Sequence, residues 1–416
     1  MSSSSLQIKC NINTIRANFP ALQQTINGFS PAYFDGPGGT QLPKTVQAAF
    51  ADYLASGNSN LGGQFSVSRN TVELVNTARE HAAAMFNAST RDEMVFGANM
   101  TSMTLHFSRS IAREWQAGDE IILSDADHGA NRSCWAMAAE EKGVKVHYLP
   151  VTGKTCELDI NELDKLLNDK TRLVAVTAAS NLSGTTVDIH TVVKKAKAAG
   201  ALAFIDAVHL LPHQLVDVQT LGADFVAASA YKFFGPHLGI MWGRSELLNS
   251  LTPYKVEPAP GYAPNCWETG TLNFEAISAF VQAVRYLASL GTGDDLREQL
   301  VSAYGQIHSY EHELSQYFLT KLKTCPGIQL VGRPEATGRT ATFALRFNEL
   351  TPSEVAAHLG EQEIYVWTGH LYADRLTDAL GITDKGGILR VGLMHYNTVE
   401  EIDRLFVALD NLGVCQ

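Results

Sequence analysis

The chain has 416 residues, enough for a large buried core and for two domains by the usual relation of length to domain size. Hydrophobic residues make up 45% and charged residues 18%, an ordinary globular balance, and no apolar run approaches the length of a membrane span. The net charge of −11 argues against a nucleic-acid partner, whose phosphates need clustered Lys and Arg.

The N-terminus, MSSSSLQIKC, lacks a basic start followed by an apolar stretch, so no secretory signal is expected and a cytoplasmic location is. Its serines read as a disordered tip. Six cysteines, Cys10, Cys134, Cys156, Cys266, Cys325 and Cys415, are scattered without a CxxC pair. That pattern predicts reduced thiols rather than a zinc site or a disulfide framework.

From about residue 90 to 245, short apolar runs alternate with amphipathic stretches. Strands are predicted at 94–97, 120–124, 145–150, 173–178, 203–206, 225–229 and 240–242, with helices at 130–142, 160–168 and 189–199. Apolar strands separated by helices predict an α/β fold with a mostly parallel sheet covered on both faces. Ligands of such sheets sit beyond the carboxyl ends of the strands. Further on, long helices are predicted at 274–290 and 295–324, then strands at 329–332, 340–347, 364–367 and 389–393, with helices at 352–359 and 399–412. The expected division is a large domain over 30–275 and a smaller α+β domain built from 1–29 and 276–416.

Two strand ends stand out. Ala203–Phe204–Ile205–Asp206 closes an apolar strand on a carboxylate, which taken alone is a helix cap or turn residue. The strand 225–229 runs into Ala230–Tyr231–Lys232–Phe233–Phe234–Gly235–Pro236. A lysine among aromatic residues at a strand end has its pKa lowered by desolvation, which makes the amine nucleophilic. Taken alone it is a lysine snorkelling from a strand edge.

Together, Ser229-x-x-Lys232, the following Gly-Pro and the Asp-ended strand one βα unit upstream resemble the pyridoxal-phosphate enzymes of fold type I. More narrowly they resemble the class V aminotransferase and cysteine desulfurase family, and the resemblance extends from Tyr33 to Leu412. It implies pyridoxal 5'-phosphate as cofactor, an amino acid as substrate and a homodimer with shared active sites. Lys232 would carry the cofactor as a Schiff base, Asp206 would hold its ring nitrogen, and His128, in Asp127–His128, would stack on the ring and move protons. Asn99–Met100–Thr101–Ser102 is similar to the phosphate-cradling turn before a helix, where free N–H groups and the positive helix end suit a dianion; a plain N-cap is the alternative. Ser229 falls at another phosphate position.

Asn181, in Ser180–Asn181–Leu182–Ser183–Gly184, would lie near the cofactor's phenolic oxygen. Thr271, in Trp267–Glu268–Thr269–Gly270–Thr271, would reach the neighbouring subunit's phosphate. The loop Tyr33–Phe34–Asp35–Gly36–Pro37–Gly38–Gly39–Thr40 would border the substrate at Gly38, a simple Gly/Pro turn being the equal alternative. Arg390, in Leu389–Arg390–Val391–Gly392, would clamp the substrate carboxylate with its planar fork, against the alternative of a surface ion pair.

The chain departs from the desulfurase pattern at three positions. His209 stands where desulfurases have Gln, Tyr231 where they have His, and Tyr372 where the small-domain loop 367–373 should carry the nucleophilic cysteine. These departures favour C–S bond cleavage by β-elimination over persulfide-forming desulfuration. A class V aminotransferase is the enzymatic alternative, and a non-catalytic cofactor-binding or scaffold protein the alternative of another class. Cys266, five residues before Thr271, reads as a buried thiol. His209 and His213 are four apart, but Pro212 between them spoils a helical metal pair, and no metal site is expected.

Overall fold

The computed structural model describes residues 11–415, so the serine tip and Cys10 lie outside the described residues. Seven strands form one sheet: β1 (Met94–Gly97), β2 (Glu120–Ser124), β3 (Lys145–Leu149), β4 (Thr171–Thr177), β5 (Leu202–Asp206), β6 (Phe225–Ser229) and β7 (Gly239–Gly243). Their order is β1-β7-β6-β5-β4-β2-β3. All neighbours run parallel except β7, which is antiparallel to both β1 and β6. Each matches a predicted strand, with ends moved by at most two residues.

Helices α1 (Lys44–Ser56), α2 (Ser66–Phe86), α3 (Met100–Ile111), α4 (Gly129–Lys142), α5 (Ile189–Ala198) and α6 (Phe274–Ala288) surround this sheet. Along β5, Ala203 and Ile205 pack into the core shared with α2, α5 and α6, while Phe204 packs into the core shared with α3 and α4. Side chains alternate across a strand, so Asp206 at the end of β5 stands on the side of Phe204, under α3 and α4. Sequence patterning named neither α1 nor α2. The reason for α1 is its thin apolar stripe: only Val46 and Tyr53 are buried, while Phe50 and Leu54 face solvent.

The long helix α7 (Leu296–Leu322) runs through two cores. Leu300, Tyr304 and Ile307 belong to the sheet core, and Tyr310, Leu314, Phe318 and Leu322 to a second one. That second core lies between α7, α8 (Pro352–Gly360), α9 (Val399–Asn411) and an antiparallel sheet. The sheet consists of β8 (Ile328–Val331), β9 (Thr342–Phe347), β10 (Trp367–Gly369) and β11 (Ile388–Gly392) in the order β8-β9-β11-β10. The strand expected at 364–367 is interrupted: Ile364–Tyr365 pairs in parallel with Ala32–Tyr33, and Trp367 opens β10.

This packing differs from the expected division after residue 275. Helix α6 is apolar on most of its surface and lies against α1 and α2, so it belongs with the large sheet, as do Ile15, Phe19 and Leu22. Ala32 and Phe34 belong instead to the second core. The cysteine expectation also needs correction. Cys325 and Cys415 form a disulfide joining the segment after α7 to the residues after α9. They are 90 residues apart, so no local spacing announces the pair. Cys134, Cys156 and Cys266 are free and buried.

Residues 35–40 link the two units. At one end the Phe34 N–H donates to Tyr365 O (3.0 Å) and the Gly392 N–H to Phe34 O (2.8 Å). At the other, the Thr40 N–H donates to Tyr231 O (3.0 Å) and the Phe234 N–H to Thr40 Oγ1 (2.7 Å). Among the described residues, no helix is long and apolar enough to cross a membrane.

Candidate active site

A cavity of about 750 Å³ opens beyond the carboxyl ends of β4, β5 and β6, with β10, β11 and the loop after β10 as its opposite wall. Every site residue expected from the sequence lines it except Thr271. Thr271 is exposed and lines a separate cavity of about 250 Å³ with Trp267, His106 and Met103.

The N-terminus of α3 points into one end. Asn99 caps it, its Oδ1 accepting from the Ser102 N–H (2.9 Å), and the Met100 N–H donates to Ser229 Oγ (3.0 Å). Thr101 lines the cavity and is exposed, so its amide and hydroxyl remain available to an anion. Gly239 makes the close approach possible, since a Cβ there would lie 2.5 Å from the Asn99 carbonyl carbon.

Asp206 and Lys232 occupy the middle. Burial pushes the Asp206 carboxyl up to about 7, and the hydrogen bond it accepts from the Val208 N–H (2.9 Å) does not offset this. Burial likewise pulls the Lys232 amine down to about 7, with Arg390 adding to the effect. The attraction of Lys232 for Asp206 acts against both shifts and is outweighed by desolvation. Lys232 Nζ donates to the Pro37 carbonyl and lies 4.6 Å from the Tyr231 ring centre. Tyr231 in turn stacks on His237 (5.0 Å).

His128 Nδ1 accepts from the Ala130 N–H (3.0 Å) as the cap of α4, and Asp127 below it is held by Ser124 and Asn131. Burial lowers His128 to about 4, so its ring is neutral at ordinary pH. Arg390 is buried, its Nη1 donating to Asn181 O (2.8 Å), while its Nε is buried with no partner among the described residues. Burial lowers its guanidinium to about 10, which leaves it charged. Asn181 Nδ2 donates to Leu371 O (2.8 Å), and the Gly129 N–H to Tyr372 O (2.6 Å). Those two bonds dock the loop after β10. Leu371 and Tyr372 both have left-handed backbones (φ 51° and 60°), and the Tyr372 side chain is 69% exposed at the mouth, 5.3 Å from the His128 ring.

Sequence reasoning missed Asp35, Thr177, His237 and Trp367. Asp35 lies within a quoted motif but was not singled out. Burial raises it to about 6, Arg390 and Lys232 hold it back, and its Oδ1 has no partner among the described residues. Trp367 lies so close to Gly38 that a Cβ there would come within 2.7 Å of its Nε1, which explains the glycine in steric terms. Among the described residues no cysteine lines the cavity. Among the described residues no group of three His, Cys, Asp or Glu is placed to hold a metal ion.

These features suit pyridoxal phosphate. An open helix N-terminus fits a dianion, a buried carboxylate lacking a bonded cation fits a pyridinium N–H, and an amine near neutrality fits an aldehyde. The comparisons agree. The sequence profile described as Aminotransferase class-V matches residues 32–405. Cysteine desulfurases of Pectobacterium carotovorum and Yersinia pestis are 32% and 31% identical, each alignment covering 96% of this chain and 98% of the relative. The crystal structure of a cysteine desulfurase from Escherichia coli is similar at 27% identity and a TM-score of 0.84, over 97% of this chain and 98% of that one. An apo cysteine desulfurase from Thermococcus onnurineus shares the fold at 23% identity, with a TM-score of 0.87 over 96% and 97%. With a family profile spanning most of its length and a cavity shaped for the family's cofactor, the chain belongs to the class V aminotransferase family as a cysteine desulfurase-like, pyridoxal-phosphate-dependent enzyme.

Proposed function

We propose that the enzyme cleaves the C–S bond of an L-amino acid by β-elimination, without carrying sulfur as a protein persulfide. The observation that supports this is the absence, among the described residues, of any thiol from the cavity wall, with Tyr372 exposed at the mouth. A persulfide needs a thiolate, and burial raises the Cys266 thiol above its ordinary value.

In this reading, Thr101, Met100 and Ser229 hold the phosphate, Asp206 faces the ring nitrogen, and Lys232 is the attachment residue. Bound there, pyridoxal phosphate supplies an electron sink for charge at the substrate's α-carbon. Arg390 receives the carboxylate with its free guanidinium edge, which sets the α-proton toward Lys232. Lys232 Nζ takes that proton, and its position near neutrality lets it return one. Neutral His128, Asn181 and His209 would line the pocket that holds the cofactor, and Tyr231 would wall the lysine. Tyr372 and Gly38 shape the substrate entrance.

The reading is tested by incubating the purified enzyme with a panel of L-amino acids, cysteine among them. Sulfide, pyruvate and ammonia are expected, with no protein-bound persulfide by mass spectrometry and most activity kept in Cys266→Ser. A stoichiometric persulfide, lost together with activity on mutation of its cysteine, would make the enzyme a desulfurase. A keto acid with aminated cofactor would make it a transaminase, and no product from any amino acid would favour a scaffold.

The low Lys232 pKa gives a signed pH prediction. Cofactor uptake by the cofactor-free protein needs the neutral amine, so its rate should climb as pH rises through about 7 and level off above it. An ordinary lysine would still be gaining rate near pH ~10. Stopped-flow absorbance distinguishes the two curves.

We also infer a homodimer. The buried Arg79–Glu268 pair (2.7 Å) anchors the segment leading to Thr271, yet Thr271 faces away from its own chain's cavity. The protein should sediment as a dimer, and Thr271→Ala should weaken cofactor retention on dilution. A monomer with full cofactor occupancy would sink the idea.

A further inference from the structure

His209 forms part of the wall of the main cavity, and behind it lies a second cavity of about 230 Å³. One layer of side chains separates the two. His209 Nε2 is 3.2 Å from both Thr340 Oγ1 and Thr342 Oγ1, and Thr340 lines the second cavity. The His209 ring meets the His213 ring edge-on at 5.7 Å, and His213 Nδ1 is bonded to Glu311 Oε2 on α7 (2.6 Å). His213 and Glu311 line the second cavity as well, and both are more than nine-tenths buried.

Two atoms there have no partner. His213 Nε2 and Glu311 Oε1 are buried without a hydrogen bond among the described residues. Buried polar groups are almost always satisfied, and a polar cavity of this size with several donors and acceptors holds ordered water. Arg339, the cation in this wall, is already taken up by the carbonyls of Ser183, Arg333 and Thr342, so it does not point to an anion. No three His, Cys, Asp or Glu of the described residues are placed for a metal ion.

We propose that His209, Thr340, His213, Glu311 and water in the second cavity form a proton conduit between the main cavity and solvent. His209 has the required connectivity. Its Nε2 meets the threonine hydroxyls, while the residue itself lines the main cavity. A proton accepted at one ring nitrogen is matched by one released from the other, so the ring returns to neutrality with its tautomer exchanged. A proton passing the opposite way restores it. Burial, together with the neighbouring charges of Arg390 and Lys232, disfavours the imidazolium, which makes it a transient rather than a resting state. From His209 the proton passes through the Thr340 hydroxyl to water held by His213 Nε2 and Glu311 Oε1. A glutamine at position 209 keeps hydrogen bonds but cannot exchange protons in this way.

The inference rests on reading the main cavity as the cofactor site, but its test needs no turnover. The holoenzyme is labelled with ¹⁵N-histidine, and exchange of the His209 ring N–H with water is followed by NMR. In the parent the proton should exchange rapidly although the cofactor fills the main cavity. In Thr340→Val and Glu311→Gln it should slow by about tenfold or more, toward the rate set by local opening. Exchange unchanged in both variants would overturn the proposal. So would a high-resolution crystal structure with a dry second cavity, whereas water on His213 Nε2 and Glu311 Oε1 supports it. Should one variant fail to fold, the other still decides. A wrong choice of substrate would appear in the amino-acid panel and leave these measurements untouched.

Discussion

Lys232→Ala should leave a folded protein that turns over no amino acid above background. On the proposed reading two losses combine: the cofactor has no attachment amine, and the α-proton has no base. General-base catalysis alone is worth roughly 10²–10⁴-fold. Borohydride reduction of the parent should fix the cofactor on a peptide containing Lys232, and the variant should take no label; a label on another lysine would overturn the assignment. The same residue has a stability signature in the cofactor-free protein. Its folded pKa of about 7 lies below the unfolded value near ~10.4, so the unfolded chain binds the extra proton between them. Stability therefore rises as pH is raised across that window, and the burial penalty is fully present below about 7. Cofactor-free Lys232→Met should melt above the cofactor-free parent at pH 6, with the gap narrowing as pH is raised toward ~10.

Asp206→Asn should retain the fold and much of the cofactor yet lose most activity. The carboxylate sits at the buried end of β5 with a backbone donor, and burial, helped by the Asp127 charge, raises it to about 7. On the proposed reading a cationic ring nitrogen is the partner that stabilises its charged form. Removing one member of a buried charge pair costs about 3–5 kcal/mol, or roughly two to four powers of ten if the loss falls on the transition state. The amide fills the same space, so the defect should appear in kcat and in the cofactor's absorption bands rather than in melting temperature. Unchanged kcat would show that Asp206 is a turn residue after all.

The strands of the large sheet were legible because burial on both faces writes them as continuous apolar runs, and β5 carries its meaning at its last residue. Lys232 and Asp206 stood out at strand ends, although their roles came from the family resemblance. Arg390 did not, since nothing in a strand of the small unit says that its side chain crosses to Asn181, and the family resemblance supplied it. Asp35 escaped because its significance lies in Arg390 and Lys232, both far along the chain. Thr340 and Thr342 read simply as strand residues until the fold sets them against His209. The cysteine pair and the change-over of cores within α7 depend on long-range packing, which local periodicity cannot report. Tyr372 was legible as a departure, and the fold adds that its loop is pinned by the Gly129 backbone N–H and the Asn181 side-chain amide.

The segment from Asp35 to Thr40 is tethered to different bodies at its two ends, to Tyr365 and Gly392 on one side and to the turn bearing Lys232 on the other. Such a tether works as a mechanical coupler. A ligand pulling on Arg390 and shifting β11 would load these six residues, three of them glycines, whose Pro37 carbonyl touches the Lys232 amine. On the proposed reading, occupation of the Arg390 end would reach the amine as a change of hydrogen-bond partner. Stiffening the coupler should uncouple the ends, so that carboxylate-bearing ligands still bind but no longer perturb Lys232.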